Sequence, residues 1–178
     1  VRKKVCFLLY NLDPGGLENY LLRFLKLNED TIEATVILKS GKGGILAEQF
    51  LNMGTKIIYV RSGYLNVRAW LKILKVFKAH DWDCVCDLTS NFAGIYMFLS
   101  KLAGVSSRVA YFGQSSNHFK QNFLNLTYNY LINHLIRRYA TTVISNSVIG
   151  FNFFFGDFWK RDSRFHILSN GVDSTIFS

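Results

Sequence analysis

A chain of 178 residues is long enough for one well-buried domain, and its 49% apolar content excludes a disordered polypeptide. With 21 Lys and Arg against 12 Asp and Glu, the formal charge of +9 attracts phosphates, nucleic acid or an anionic bilayer, and the sign alone does not choose among them. The longest apolar runs, such as Val5 to Tyr10, fall far short of the roughly 20 residues that cross a bilayer. Arg2-Lys3-Lys4 before that run mimics a signal peptide, but no small-residue cleavage site follows ahead of Asp13-Pro14-Gly15-Gly16, so the run is read as a strand.

From there, strand and helix signals alternate to the end of the chain. Val5 to Tyr10 is a continuous apolar run suited to burial on both faces of a sheet. Leu17, Leu21, Leu22, Phe24 and Leu25 then share one broad face and predict a helix from Leu17 to about Leu27. Thr31 to Leu38, rich in β-branched residues, is the second strand; a short helix through Leu51 stops near Gly54, and Lys56 to Val60 is the third strand. Asn66 caps a helix running to about His80, and Asp83 to Leu88 is the fourth strand. Phe92 to Ala103 is helical with Gly104 as its stop, Arg108 to Phe112 is the fifth strand, and an aromatic helix follows over about Gln121 to Arg138. Thr142 to Ser145 and His166 to Leu168 read as strands six and seven.

This alternation predicts a Rossmann-like α/β domain with a doubly wound, mainly parallel, seven-stranded sheet and helices on both faces. Cys6, Cys84 and Cys86 all fall inside strand runs. An odd number without regular spacing gives no disulfide framework, and no His or Cys pair completes a metal site, so the cysteines are read as core in a reducing cytoplasm. The sequon Asn125-Leu126-Thr127 is discounted, since nothing directs secretion.

Ligands of such sheets gather at the carboxyl ends of the strands, which directs attention to Asn11 to Glu18, Thr89 to Phe92, Gly113 to His118 and Ser145 to Ser147. Gly15-Gly16 lets the backbone approach an anion at a helix start, or is simply a tight turn. Glu18 is either a ligand group or compensation for the helix dipole. Thr89, Ser90 and Asn91 can hydrogen-bond the hydroxyls of a ligand or cap the next helix. Gln114 and His118 offer polar groups in the next loop, with a solvated loop as the alternative for His118. The pattern is not G-x-G-x-x-G, and Glu33 is poorly placed as the acidic partner of a dinucleotide site.

Three spaced signals fall in a familiar order: Gly15-Gly16-Leu17-Glu18, then Tyr139-Ala140-Thr141-Thr142-Val143-Ile144-Ser145, then Ser169-Asn170-Gly171-Val172-Asp173 with Phe177. On these residues the chain resembles the N-terminal half of a retaining glycosyltransferase of family 4, with the GT-B architecture of two Rossmann-like domains facing each other across a cleft. Ser169 replaces the usual proline of the "PNGVD" turn. The resemblance implies an acceptor-side domain over residues 1–178, an interdomain linker beginning at Asn170, Gly171, Val172 and Asp173, and a donor-binding domain beyond this chain, which therefore looks cut. It implies binding of donor or acceptor by Gly15, Gly16, Glu18, Asn91, Gln114 and Ser145, with Gln114 and His118 as catalytic candidates. The segment Arg108-Val109-Ala110-Tyr111-Phe112-Gly113-Gln114-Ser115-Ser116 departs from the family, because Tyr111 and Gly113 stand where histidines are frequent. The implied partners are a nucleotide sugar, bound mainly by the other domain, and a saccharide or lipid-linked saccharide acceptor in polysaccharide or capsule synthesis. No cofactor is implied, and metal is usually dispensable.

Two helices suggest a membrane surface. Arg68, Lys72, Lys75 and Lys78 form a basic face in the helix after Asn66, while Trp70, Leu71, Leu74 and Phe77 offer apolar surface; the alternative is a stripe packed on the sheet with solvated lysines. The aromatic helix from Phe119 is the second. The expected location is thus cytoplasmic, peripheral on the inner face of the cell membrane. The rivals are a non-catalytic Rossmann-type nucleotide-binding module and, more weakly, a nucleic-acid binder, for which no helix-turn-helix, RNP-like or zinc pattern speaks.

Overall fold

In the computed structural model, which describes residues 1–63, 66–114 and 123–169, seven parallel strands form one sheet in the order β3-β2-β1-β4-β5-β6-β7. The strands are β1 (Lys3–Leu9), β2 (Ile32–Leu38), β3 (Lys56–Tyr59), β4 (Cys84–Asp87), β5 (Ser107–Phe112), β6 (Thr142–Ser145) and β7 (Phe165–Ile167). Every pairing is parallel, so the sheet is wholly rather than mainly parallel, and its carboxyl ends align along one edge. The order reverses at β1, whose neighbours are β2 and β4.

The helices α1 (Gly16–Leu27), α2 (Ala47–Asn52), α3 (Val67–Lys78), α4 (Gly94–Leu102), α5 (Phe123–Tyr139) and α6 (Val148–Phe155) cover both faces. Alternation along β1 shows why its run had to be continuously apolar: Val5, Phe7 and Leu9 join the layer under α1 and α2, whereas Cys6 and Leu8 join the layer under the other helices. Leu21 and Leu25 supply the buried stripe of α1, and Phe50 that of α2. Opposite them, Ile73, Phe77, Met97, Ile136 and Phe151 come from α3, α4, α5 and α6. Each buried side chain of this size contributes roughly 1.5–3 kcal/mol relative to exposure. Gly104 has φ of 85° and ends α4, as its place in the sequence suggests. Gly94 serves close approach, since a Cβ there would meet the Ile132 carbonyl oxygen of α5 at 2.4 Å.

Two elements differ from the sequence reading. The expected helix from Phe92 to Ala103 is split: Ser90–Phe92 is a 3-10 turn, and α4 starts at Gly94. Its entry carries Ser90 at φ of 55°, a left-handed conformation that serine rarely adopts. The sequence reading also has no counterpart to α6, because Val148-Ile149-Gly150-Phe151-Asn152-Phe153-Phe154-Phe155 is apolar all round and shows no 3.6-residue stripe. The Ser147 side chain accepts from the Gly150 amide at 3.1 Å and caps it. Its rings then pack with Phe112, Trp159 and Phe165 into one aromatic cluster.

Among the described residues, no helix is long and apolar enough to cross a membrane. All three cysteines are free; Cys6 is buried and Cys84 and Cys86 half-buried, and burial pushes each thiol up.

Candidate functional site

A cavity of about 550 Å³ opens at the carboxyl ends of β1, β2, β4 and β5, the edge where the topology reverses. Tyr10 and the first turn of α1, with Leu17 and Glu18, form one side. Trp70 of α3, Phe92, Ile95 and Tyr96 around the start of α4, and Tyr128 of α5 form an aromatic wall. Gln114 lies beyond β5, and Lys39, Leu88 and Thr89 lie on the floor.

The floor is closed by a hydrogen-bonded ion pair, and the sequence reading did not single out its central residue, Lys39. Lys39 continues β2, its amide donating to the Leu9 carbonyl at 2.9 Å, which carries the ladder past the apolar run. From there the side chain crosses the end of β1 and places Nζ 2.8 Å from Asp87 Oδ2 at the end of β4. Nζ also donates to Thr89 Oγ1 and lies 4.1 Å from the centroid of the Tyr96 ring. The other Asp87 oxygen accepts from the Thr89 amide at 2.8 Å and the Thr89 hydroxyl at 2.5 Å. The Lys39 side chain is only 6% exposed and that of Asp87 0%, so this is a buried ion pair with its hydrogen bonds satisfied. Burial pulls the Lys39 ammonium below its usual range, and the Asp87 charge opposes that pull. Tyr96 Oη and Ser62 Oγ are 2.6 Å apart, tying the wall to the loop after β3. Burial is the main force raising the Tyr96 phenol, which therefore stays neutral.

The sequence-derived residues separate into groups. Glu18 and Gln114 both line the cavity. Gly15 and Gly16 open α1, with Gly15 extended at φ of −146° and no side-chain cap. A Cβ on Gly15 would fall 2.3 Å from Glu18 Oε2, so the Glu18 carboxylate folds back over the helix start and meets the positive end of the dipole. A Cβ on Gly16 would meet nothing within 4 Å.

Asn91 and Ser145 lie outside the cavity lining. Asn91 is buried and donates to Asn129 Oδ1 of α5 at 3.0 Å. Ser145 is buried and spends its hydroxyl on the turn into α6, donating to the Ser147 carbonyl at 3.0 Å and accepting from the Ser147 amide at 3.2 Å. Tyr111 is core, stacked on Tyr20 at 6.3 Å, so it does not stand in for a cleft histidine. His118 and Asn170, Gly171, Val172 and Asp173 lie outside the described residues. Among the described residues no group of three or more His, Cys, Asp or Glu could hold a metal ion. With its hydroxyls, an amide, a carboxylate and aromatic faces, the cleft is suited to a polyhydroxylated ligand.

No protein-family model matches the chain. It is 22% identical over 99% of its length to EpsF of Bacillus subtilis strain 168, named as a glycosyltransferase. Over 79% of its length it is 26% identical to CapH of Staphylococcus aureus, named as a capsular polysaccharide biosynthesis glycosyltransferase. In structure it matches Anabaena HepE, solved in complex with UDP, with a TM-score of 0.73 at 19% identity over 98% of this chain. The chain spans 47% of EpsF, 39% of CapH and 46% of HepE, so it is similar to less than half of each.

The α3 helix modifies the expected membrane surface. Ala69, Ile73 and Phe77 are buried on the sheet, Leu74 packs against the same layer, and Trp70 lines the cavity. Only Val67 and Leu71, each more than half exposed, remain outward beside Arg68, Lys72, Lys75 and Lys78. Phe77 therefore belongs to the core and not to a membrane face.

Proposed function

We propose that this chain is the acceptor-side half of a GT-B glycosyltransferase of the retaining family 4 type. It would help move a sugar from a nucleoside diphosphate donor to a saccharide or lipid-linked saccharide in surface polysaccharide synthesis. The carrying observation is that almost the whole chain aligns with about half the length of a glycosyltransferase-named protein while its own sheet presents a hydroxyl-bearing, aromatic cleft at the topological switch. HepE, with the same fold in its matching part, has also been solved with UDP-glucose, which supports a nucleotide sugar as donor here. In this reading the second half supplies most of the donor site, including groups that stabilise the departing diphosphate, so the 178-residue chain alone does not transfer sugar.

The rival reading, a self-sufficient dinucleotide module, is disfavoured by the α1 terminus. The loop has two adjacent glycines in place of G-x-G-x-x-G, and the Glu18 carboxylate lies over the helix start that a phosphate would have to approach. The basic face of α3, flanked by Val67 and Leu71 and placed beside the cleft through Trp70, supports a peripheral approach to anionic lipid on the cytoplasmic side. Each basic residue near such a surface contributes about 1 kcal/mol, so high salt should release the protein from anionic vesicles.

The deciding experiment is donor turnover. Nucleotide sugars are incubated with a polypeptide carrying both halves and, separately, with this chain alone, and nucleoside diphosphate release is measured with and without saccharide acceptors. One donor should be preferred by the longer polypeptide, and none should be turned over by the chain. Transfer by the chain alone, or none by the longer polypeptide with any donor, would overturn the proposal.

A further inference from the structure

The charge of the whole chain and the charge of its cleft disagree. At +9 the chain as a whole attracts anions. Among the described lining residues, however, Lys39 is the only lysine or arginine, and Glu18 the only carboxylate.

Lys39 is not available to a ligand. Its ammonium is engaged by Asp87 and Thr89 and rests on the Tyr96 ring, with 6% of its side chain exposed. Swinging it outward would leave Asp87, completely buried, without its counter-charge, a loss that a partly solvated contact to a ligand anion does not repay. The floor is therefore electrically neutral toward the cleft. What remains is the Glu18 carboxylate, half-buried on the cleft side of α1. A ligand carboxylate or phosphate would meet a carboxylate of its own sign that the start of α1 offsets only in part, and among the described lining residues it would surrender water without gaining a free cation.

A neutral sugar meets the opposite situation. A pyranose has C–H groups on its faces and hydroxyls on its rim. Trp70, Phe92 and Tyr128 offer aromatic surface for the first, while Glu18 and Gln114 offer acceptors and an amide donor for the second. Ionised carboxylates only accept hydrogen bonds, which suits a sugar hydroxyl pair and disfavours an acceptor-only anion.

We infer that the cleft of this half takes a neutral pyranose unit, packed on the Trp70 wall and held through its hydroxyls by Glu18 and Gln114, and discriminates against uronate and phosphorylated sugars. This rests on the glycosyltransferase reading, with the pyranose as the acceptor's terminal unit. Glu18 is the residue that sets the discrimination, and Lys39 contributes by being held inside the floor.

The test uses pairs of glycosides alike in size and differing in charge: methyl glucoside against methyl glucuronide, and methyl galactoside against methyl galacturonide. Binding is followed by saturation-transfer NMR at neutral pH and low salt. Within the better-bound pair, the uronide should bind about tenfold more weakly than the neutral glycoside. Glu18→Gln should narrow that gap to about twofold, because the amide keeps the hydrogen-bonding shape and loses the charge. Trp70→Ala should weaken both members of the pair alike. Glu18 sits in the first turn of a helix on the cleft side, so its variant tests the charge without a core change, and near-ultraviolet circular dichroism checks that Trp70→Ala retains its packing. A uronide that binds as well as its neutral partner, a gap unchanged in Glu18→Gln, or no binding of any glycoside overturns the inference. Donor turnover is scored separately. Turnover with preference for a uronate acceptor would overturn this inference and leave the glycosyltransferase reading intact. Absence of turnover with every acceptor would remove that reading, while the glycoside pairs would still decide the charge preference of the cleft.

Discussion

Both edges of the sheet join a lysine to a carboxylate, and the two edges make opposite use of the pair. At the amino edge Lys3 meets Asp83 at 3.2 Å and Lys56 meets Glu33 at 2.8 Å, with the lysine side chains 72% and 69% exposed. At the carboxyl edge Lys39 meets Asp87 at 2.8 Å with both side chains almost wholly enclosed. The distances are alike, so burial decides the difference. Water and salt screen the amino-edge pairs, which leaves them near the low end of ion-pair energies. The carboxyl-edge pair is enclosed by the strand ends, Thr89 and the Tyr96 ring, where losing one partner strands a charge. The sheet's amino edge is thus a solvated rim, and its carboxyl edge is a preorganised floor.

The most severe way to break this contrast is Lys39→Met, which leaves Asp87 buried without its cation. Denaturant unfolding should show a loss of about 3–5 kcal/mol, and adding Asp87→Asn should recover part of it. A loss under 1 kcal/mol would mean that water reaches the floor.

Thr89→Val keeps the shape and removes the hydroxyl shared between Lys39 and Asp87. The expected cost is about 1–3 kcal/mol, with Thr89→Ser restoring most of it.

Tyr96→Phe removes the contact to Ser62 at about 0.5–1.5 kcal/mol and carries a pH signature. The folded-state pKa of Tyr96 is raised, so its contribution is complete below the unfolded tyrosine value of about 10 and is lost as pH rises from there toward the folded value. Wild-type stability should therefore fall more steeply above pH ~10 than that of Tyr96→Phe, as read from unfolding midpoints across an alkaline series.

At the amino edge, Lys3→Gln and Lys56→Gln should unfold indistinguishably from wild type at moderate salt. Hydrogen bonds from the Lys4 amide and Lys3 hold Asp83 below the ordinary carboxylate value, and Lys56 does the same for Glu33. Such contributions are present above the unfolded carboxylate value and are lost as pH falls through the folded one, so the small advantage of wild type should show at neutral pH and low salt and vanish on the acid limb.

Much of the sheet was legible because it rests on local signals. The apolar runs of β1 and β2, the Asn66 cap and the Gly104 stop each act within a few residues, and all four occur where their chemistry places them. The α6 helix was not legible, because a segment apolar on every side has no face to betray its period, and only packing of its rings on Phe112 and Phe165 gives it one. The α3 stripe was half legible: its spacing was helical, but spacing does not say that Phe77 meets the sheet, Trp70 the cleft and Leu71 the solvent.

The sequence by itself determined the alternation of strands and helices, the loops at which a site would form, and the placement of Glu18 and Gln114 within those loops. Hydrophobic period and turn chemistry act over a few residues, and these features need nothing further. Only the tertiary structure decided that Lys39 reaches Asp87, 48 positions away, across the end of β1. It also decided that Asn91 and Ser145 turn to Asn129 and Ser147 and leave the cleft to an aromatic wall. A lysine after an apolar strand reads as a solvated end until the strand order is known. The reversal of the sheet at β1 brings β2 and β4 to either side of it, and burial there turns a surface charge into the floor of the cleft.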